Sequence, residues 1–349
     1  MKKEIRDIFF SLVKENDFQM VKPSNLVSKY FKGEFNLSGG HSHLIPAILN
    51  PEKLDKDDIA VIDQCVRKVD ADIVGISNVH LLLFEMGVWG SFGYIEDKKQ
   101  EEFRLLSILL NFLNRCSIDK DSLYFTICAG GQYSDKLMLP DDDSYEILSS
   151  LGIESSHIFK TTGRRNFMFS RGTDRLAGYN IEIFFRKDNQ FIEIGSFNIY
   201  QYLNKLTHLE KTTNMGIGCG VGIERVEFII NGYNSVYDLS FFQIVKEGVK
   251  KILNISDDSL NIISDKIYRS TELSKTLVFL INDNQGLDKT PQGKAMKSYL
   301  AKIKSELNFL AIPVREFVNL LKENMGKSYS NYQILGEAFD ILFNELNKE

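Results

Sequence analysis

Apolar residues Ile5, Ile8, Phe9, Leu12 and Val13 recur at intervals of three and four, which predicts an amphipathic helix over residues 4–15. Pro23 and Ser24 interrupt that pattern before Leu26-Val27. The run Ile59–Val66 predicts a strand that enters a hairpin carrying Arg67, with His80–Met86 as the returning strand. Helical periodicity resumes over residues 99–115, where Phe103, Leu106, Leu109, Leu110 and Leu113 fall in register, and Leu123–Cys128 then predicts another strand. Gly130-Gly131 and Asp141-Asp-Asp143 are turn material, the second opening a short helix over Tyr145–Ser150. Tyr179–Phe185 and Gln190–Ile199 are β-rich runs around the hairpin punctuation Lys187-Asp-Asn-Gln190. With Asp188-Asn189 as the turn, Phe184 stands opposite Glu193, and the two-residue period puts Glu182 on the same face. Beyond Asp238 the pattern is helical throughout, over 242–253, 260–280, 293–310, 314–325 and 332–346. Strands first and helices last predict an α+β fold, with a sheet-bearing domain over residues 1–240 and an all-helical domain over 241–349.

Composition narrows the functional classes. A chain of 349 residues that is 43% hydrophobic buries a substantial core. Its 42 basic and 47 acidic residues give a net charge of −5, so any contact with RNA has to be local. The N-terminus Met1-Lys-Lys-Glu-Ile-Arg lacks the apolar core of a signal peptide, and no apolar run is long enough to span a bilayer; a cytoplasmic location and no membrane partner are expected. Cys65, Cys116, Cys128 and Cys219 are scattered without a Cys-x-x-Cys pair, so buried thiols are expected and zinc is not. His41 and His43 stand in a loop, Leu37–His43, with no further ligand nearby.

Chemistry concentrates in three places. Gly216, Gly218, Gly220 and Gly222 alternate and give way to Glu224 and Arg225. Such a backbone lets a flat or phosphorylated ligand approach closely and tolerates positive φ, while the arginine supplies a planar fork of donors suited to phosphate; a plain glycine-rich turn before a helix is the alternative. Glu182 and Glu193 are two carboxylates on a face otherwise filled by Ile and Phe, which is costly unless Mg²⁺, Arg67 or Arg225 meets them. Phe84 and Phe92 are candidate stacking platforms for a base, with core packing as the alternative.

These landmarks have a familiar order. Cys65-Val-Arg67, then His80-Leu-Leu-Leu-Phe-Glu-Met86, then Gly220-Val-Gly-Ile-Glu-Arg225 resembles motifs two and three of class II aminoacyl-tRNA synthetases, and of the alanyl subfamily in particular. Glu4-Ile-Arg, Ser24-Asn-Leu-Val27, Ser144-Tyr-Glu-Ile147, Leu151-Gly-Ile153, Arg165-Asn-Phe167, Glu182-Ile-Phe184, Ile192-Glu-Ile194 and Asn234-Ser-Val-Tyr-Asp238 resemble further stretches of that family in the same order. The resemblance implies a class II catalytic core, a mainly antiparallel sheet flanked by helices, followed by the helical tRNA-contacting domain. It also implies ATP and Mg²⁺, with Arg67 on the α-phosphate and Arg225 on the far phosphates as the catalytic pair. Phe84, Glu85, Phe92, Gly220 and Gly222 would then line the nucleotide site, with Glu182 and Glu193 toward the metal. The family's editing module, with its zinc-binding histidines, and its oligomerising module are not matched.

Departures from the family fall on the amino-acid pocket. Its amine-binding Asp is replaced by Gly218; its tryptophan after Asn-Phe becomes Met168; two further pocket positions become Ser196 and Asn198. Residues Lys68–Asn78 form a shorter hairpin loop than the family's, with Asp70 or Asp72 as possible replacement acids, which weakens the expectation of ordinary tRNA charging. The reading is adenylation of an amino acid or related carboxylic acid other than alanine. Arg164, Arg165, Arg171 or Arg175 are candidates to neutralise a second substrate carboxylate. The acyl group would pass to tRNA, a carrier protein or a small amine; alanyl charging and a non-catalytic paralogue that binds tRNA or adenylate are the alternatives. Lys294, Lys297 and Lys304 share one face of the 293–310 helix and suit either RNA or solvent.

Overall fold

The computed structural model describes residues 2–27, 35, 58–169 and 173–348. His41, His43, Arg171 and the loop Leu37–Leu49 lie outside the described residues. Two compact units emerge: one from 2–23, 58–63 and Glu85–Ile230, the other from 24–27, 35, Gln64–Phe84 and 231–348. The helical part of the second unit begins at 231, and the segment around Arg67 groups with it.

In the first unit the chain runs through α1 (Lys2–Glu15), β1 (Gln19–Met20), β2 (Asp58–Val66), β3 (Leu83–Gly93) and α2 (Lys98–Arg115). It continues through β4 (Leu123–Cys128), β5 (Gly131–Tyr133), β6 (Lys136–Met138), α3 (Asp142–Ser150), β7 (Ile158–Thr161) and β8 (Phe167–Phe169). The long strands β9 (Thr173–Lys187), β10 (Gln190–Lys205) and β11 (Leu209–Gly222) follow, and α4 (Ile223–Ile230) closes the unit. The ends of β2 and β3, from Gln64 and up to Phe84, group with the second unit. Nine strands form one sheet in the order β1-β2-β3-β11-β10-β9-β4-β7, with β8 beside β9; β5 and β6 form a separate hairpin. Pairings within β3-β11-β10-β9-β4 are antiparallel, and β1–β2 and β4–β7 are parallel. Asp188 takes a left-handed φ of 53° in the β9–β10 turn, and Glu193 pairs with Phe184 as the turn chemistry requires.

Helices cover one face of this sheet. Trp89, fully enclosed, packs on Phe9 of α1 and Phe112 of α2 with ring centroids 5.8 and 5.5 Å apart. Odd-numbered β3 positions therefore face the helices, and a Cβ on Gly87 would sit 3.0 Å from Phe9. Helix starts follow their caps: the Asp97 side chain accepts from Gln100 N and that of Asp141 from Ser144 N.

The second unit is helical: α5 (Ser240–Leu253), α6 (Asp257–Asn282), α7 (Pro291–Phe309), α8 (Val314–Ser328) and α9 (Gly336–Asn347). The α6 helix packs against α5, α7 and α9, and every residue from Ser270 to Ile281 is buried, so it is enclosed on all sides as a central helix must be. On α7, Met296, Leu300, Ile303 and Leu307 face inward as their spacing requires. Among the described residues no helix is long and apolar enough to cross a membrane.

Candidate active site

Opposite the helices, the register of four strands lays side chains out in rows. Glu182, Ser196, Gly220 and Val88 stand side by side across β9, β10, β11 and β3. The next row is Asn180, Asn198, Gly218 and Gly90, and the one after it Gly178, Tyr200, Gly216 and Phe92. The alternating glycines are thus one face of a central strand, not a flexible turn: none has positive φ, and Ile217, Cys219 and Val221 fill the opposite face as core. The Phe92 and Tyr200 rings cover Gly216 and the Arg225 stem covers Gly222, so the bare backbone on which a flat ligand can lie is the stretch between them, at Gly218 and Gly220.

Helix α4 begins immediately after that floor, so Arg225 projects from its first turn back across Gly222. A Cβ on Gly222 would lie 3.7 Å from the Arg225 stem. Arg225 Nη1 donates to the Glu193 carbonyl at 2.6 Å and lies 3.7 Å from Glu193 Oε1. A bulge between Glu193 and Gly195 shifts the β10 register and keeps Glu193 on the face of Phe184 and Glu182. The second carboxylate, Glu182, is met by Arg165 Nε at 3.2 Å. Both acids therefore meet an arginine: Glu193 meets Arg225, one of the cations the sequence offers for it, and Glu182 meets Arg165, which joins the site.

No cluster of three metal-ligating residues occurs among the described residues. Magnesium in phosphoryl sites is held by one or two carboxylates plus phosphate oxygens, and Glu182 and Glu193 present two carboxylates on one face of β9 and β10, each beside an arginine.

Arg67 belongs to the second unit. Its backbone N–H donates to Leu82 O at 2.8 Å, and its side chain, 42% exposed, lies 3.5 Å from Asp70 Oδ2. The returning segment is pinned from α6: Leu82 and Leu83 N–H both donate to Glu272 Oε1 at 2.8 Å, and Lys275 Nζ donates to Leu83 O at 2.8 Å. Glu272 and Lys275 pair at 2.7 Å, wholly buried. Asp72 is held by Lys302, which occupies one of the two acids considered as replacements in this loop. Phe84 is half-buried at the end of the pinned segment.

Two expected nucleotide contacts belong elsewhere. Phe92 is fully enclosed against Ile59, Leu176 and Tyr200, which leaves no ring face for a base. Glu85 occupies an odd β3 position and so turns toward the helices, where its Oε1 accepts from Arg6 Nη1 at 2.7 Å. Its backbone N–H donates to Glu224 Oε2 at 2.9 Å, so Glu224 ties β3 to the first turn of α4 and steadies Arg225. The Glu-Arg dipeptide was visible in the sequence; the division of labour within it was not.

Gly218, expected from the resemblance to stand where the family has its amine-binding acid, is packed backbone to backbone: its Cβ would lie 2.7 Å from Trp89 O and 3.0 Å from Gly90 Cα. No side chain can be restored there without moving β3. Ser196 Oγ accepts from Asn198 Nδ2 at 3.3 Å, and Met168 lies on β8 opposite Gly178. Asn166 brackets the site by donating to Thr126 O, Thr126 Oγ1 and Asn180 O while accepting from Thr161 Oγ1. The four cysteines are all buried, as expected, and burial pushes the Cys116 thiol up to about 12.

Comparison with known proteins agrees with the motif order. The alanine–tRNA ligase of Borrelia hermsii (strain HS1 / DAH) is 26% identical over 341 residues, covering 89% of this chain and 54% of that protein. That of Borreliella burgdorferi is 28% identical over 372 residues, covering 97% and 56%. The chain spans about half the length of these curated relatives. A solved pyrrolysyl-tRNA synthetase from Desulfitobacterium hafniense aligns at 13% identity with a TM-score of 0.41, over 69% of this chain and 73% of that one. Residues 4–349 match the family described as tRNA synthetases class II (A), and a match of that extent decides membership: the chain belongs to the class II (A) tRNA synthetase family.

Proposed function

We propose that this chain activates an amino acid, or a closely related carboxylic acid, by ATP-dependent adenylation. The substrate carboxylate attacks the α-phosphorus of ATP, pyrophosphate leaves, and an acyl-adenylate remains. No covalent nucleophile from the protein is needed; positioning and charge neutralisation carry the rate. Arg225 neutralises the far phosphates from the start of α4; the family resemblance, rather than any geometry, gives the α-phosphate to Arg67 and the stacking of the base to Phe84. Glu182 and Glu193 would hold Mg²⁺ with the phosphate oxygens, and the ion would offset charge on the departing pyrophosphate. The observation that carries this reading is Arg225, set over a floor of glycine backbone beside Glu193.

Family membership makes tRNA the favoured acyl acceptor, ahead of a carrier protein or a small amine. The relatives are alanine–tRNA ligases, which keeps alanyl charging as the second reading. Against it stands Gly218, where the resemblance calls for an acid and the packing admits no side chain. ATP–pyrophosphate exchange with each of the twenty standard amino acids separates the two. Exchange led by another amino acid is expected; exchange led by alanine restores the alanyl reading.

A further inference from the structure

The row next to Glu182 contains two amide side chains with unusual surroundings. Asn180 on β9 stands directly opposite Asn198 on β10, and Asn198 opposite Gly218 on β11. Both asparagines are buried, 5% and 4% exposed. Asn180 Nδ2 donates to Arg165 O at 2.7 Å, which fixes the amide orientation, and its Oδ1 has no hydrogen-bond partner. Asn198 Nδ2 donates to Ser196 Oγ at 3.3 Å, and its Oδ1 has none either. Buried acceptors are rarely left unmade in native proteins, because they lose water without gaining a donor. Nearby, Asn166 has both ends of its amide satisfied, so the region is able to supply partners where the fold needs them.

Two neighbouring acceptors call for a group with several donors. Gly218 and Gly90 continue the row without side chains, and steric contact with Trp89 O and the facing backbone keeps a carboxylate from entering at 218. A primary ammonium has three N–H donors and no acceptor, which matches two amide oxygens beside bare backbone. We propose that Asn180 Oδ1 and Asn198 Oδ1 bind the amino group of the substrate, so that neutral dipoles replace the acid used for that purpose in the relatives' family pattern. This rests on the adenylation reading and adds to it the residues that hold the substrate's amine, by ion–dipole contacts rather than by a counter-charge. Ser196, as the partner of Asn198 Nδ2, is a positioning residue for that contact.

The test is ATP–pyrophosphate exchange on the full chain with the twenty amino acids singly, and with the 2-hydroxy acid matching the best of them. Asn198→Leu is expected to raise the KM for the amino acid about ten- to hundredfold, with the KM for ATP within threefold, and to abolish the preference for amine over hydroxyl. Asn198→Asp, nearly identical in shape, adds a full charge and is expected to strengthen that preference. Opposite signs in the two variants separate amine binding from a structural role, which would weaken both. Exchange in the wild type that does not distinguish amine from hydroxyl, or two variants that move in the same direction, overturns the inference alone. Absence of exchange with every acid overturns the adenylation reading and this inference with it.

Discussion

Replacing Lys275 by Met removes the cation from a wholly buried pair. Lys275 Nζ sits 2.7 Å from Glu272 Oε2, and it also holds Leu83 O at 2.8 Å. After the substitution, Glu272 keeps its two backbone donors, Leu82 N–H and Leu83 N–H, but loses its counter-charge in a dry interior. Removing one partner of a buried pair costs about 3–5 kcal/mol, because the remaining charge is uncompensated. For a protein of this size that is a drop in Tm of roughly 6–20 °C. The double variant Glu272→Gln/Lys275→Met carries no charge, and the glutamine carbonyl still accepts from Leu82 and Leu83. It is therefore expected to recover about 2 kcal/mol of the loss, a coupling typical of residues in direct contact. Urea unfolding and thermal melts of wild type, both single variants and the double variant measure the cycle. The far-UV and near-UV signals should be followed separately, since two units need not unfold as one. A double variant no more stable than Lys275→Met would refute the account of this pair as a charge bracket on the segment that carries Leu82, to which Arg67 is hydrogen-bonded.

Three further outcomes are expected. Glu102 is buried beside Lys98, Ser144 and Asp141, and burial pushes its carboxyl up to about 7, so the folded state binds the extra proton between about pH 4.5 and 7. Its contribution to stability is present at low pH and falls as pH rises through that window, by about 2–3 kcal/mol; Glu102→Gln should flatten this part of a urea-midpoint profile, and an unchanged slope would exclude the residue as its source. A Cβ at Gly178 would overlap the Ile199 carbonyl, so Gly178→Ala should destabilise the first unit by more than about 2 kcal/mol in a thermal melt, and a shift below about 1 °C would contradict the described β9–β10 packing. Arg67→Ala should lower pyrophosphate exchange by about a hundredfold, equivalent to roughly 3 kcal/mol, while leaving the Tm within about 2 °C because the side chain is partly exposed and its ion pair with Asp70 is long; full activity would remove Arg67 from the site.

What the sequence made legible follows from how local each signal is. The Glu193–Phe184 pairing was readable because an Asp-Asn turn and a two-residue period fix the register within ten residues. Helices α5 to α9 were readable from their apolar spacing alone. The glycine run reads in the sequence as a backbone open to a ligand and tolerant of positive φ, with a turn as the alternative; it is a strand without positive φ, and its period of two, with Ile217, Cys219 and Val221 between the glycines as core, is the signal that marks it. Glu85 was misplaced because the apolar run His80–Phe84 hides which β3 positions face the helices; Trp89 against Phe9 and Phe112 settles that parity only in three dimensions. The grouping of Gln64–Phe84 with the helical unit depends on Glu272 and Lys275, about 190 residues away, and no nearby pattern could show it. Asn180 was passed over because nothing in its neighbourhood marks it; its empty acceptor is a property of burial.

The central claim is that Arg225 serves the phosphates of a nucleotide whose α-phosphorus is attacked by a substrate carboxylate. Pyrophosphate exchange by wild type and Arg225→Ala, run at saturating amino acid and compared with ATP affinity by calorimetry, tests it most directly. The account predicts at least about a hundredfold loss of exchange in the variant, with the fold intact by circular dichroism. Exchange at near wild-type rates in Arg225→Ala, or a wild-type chain that binds no ATP, would contradict it.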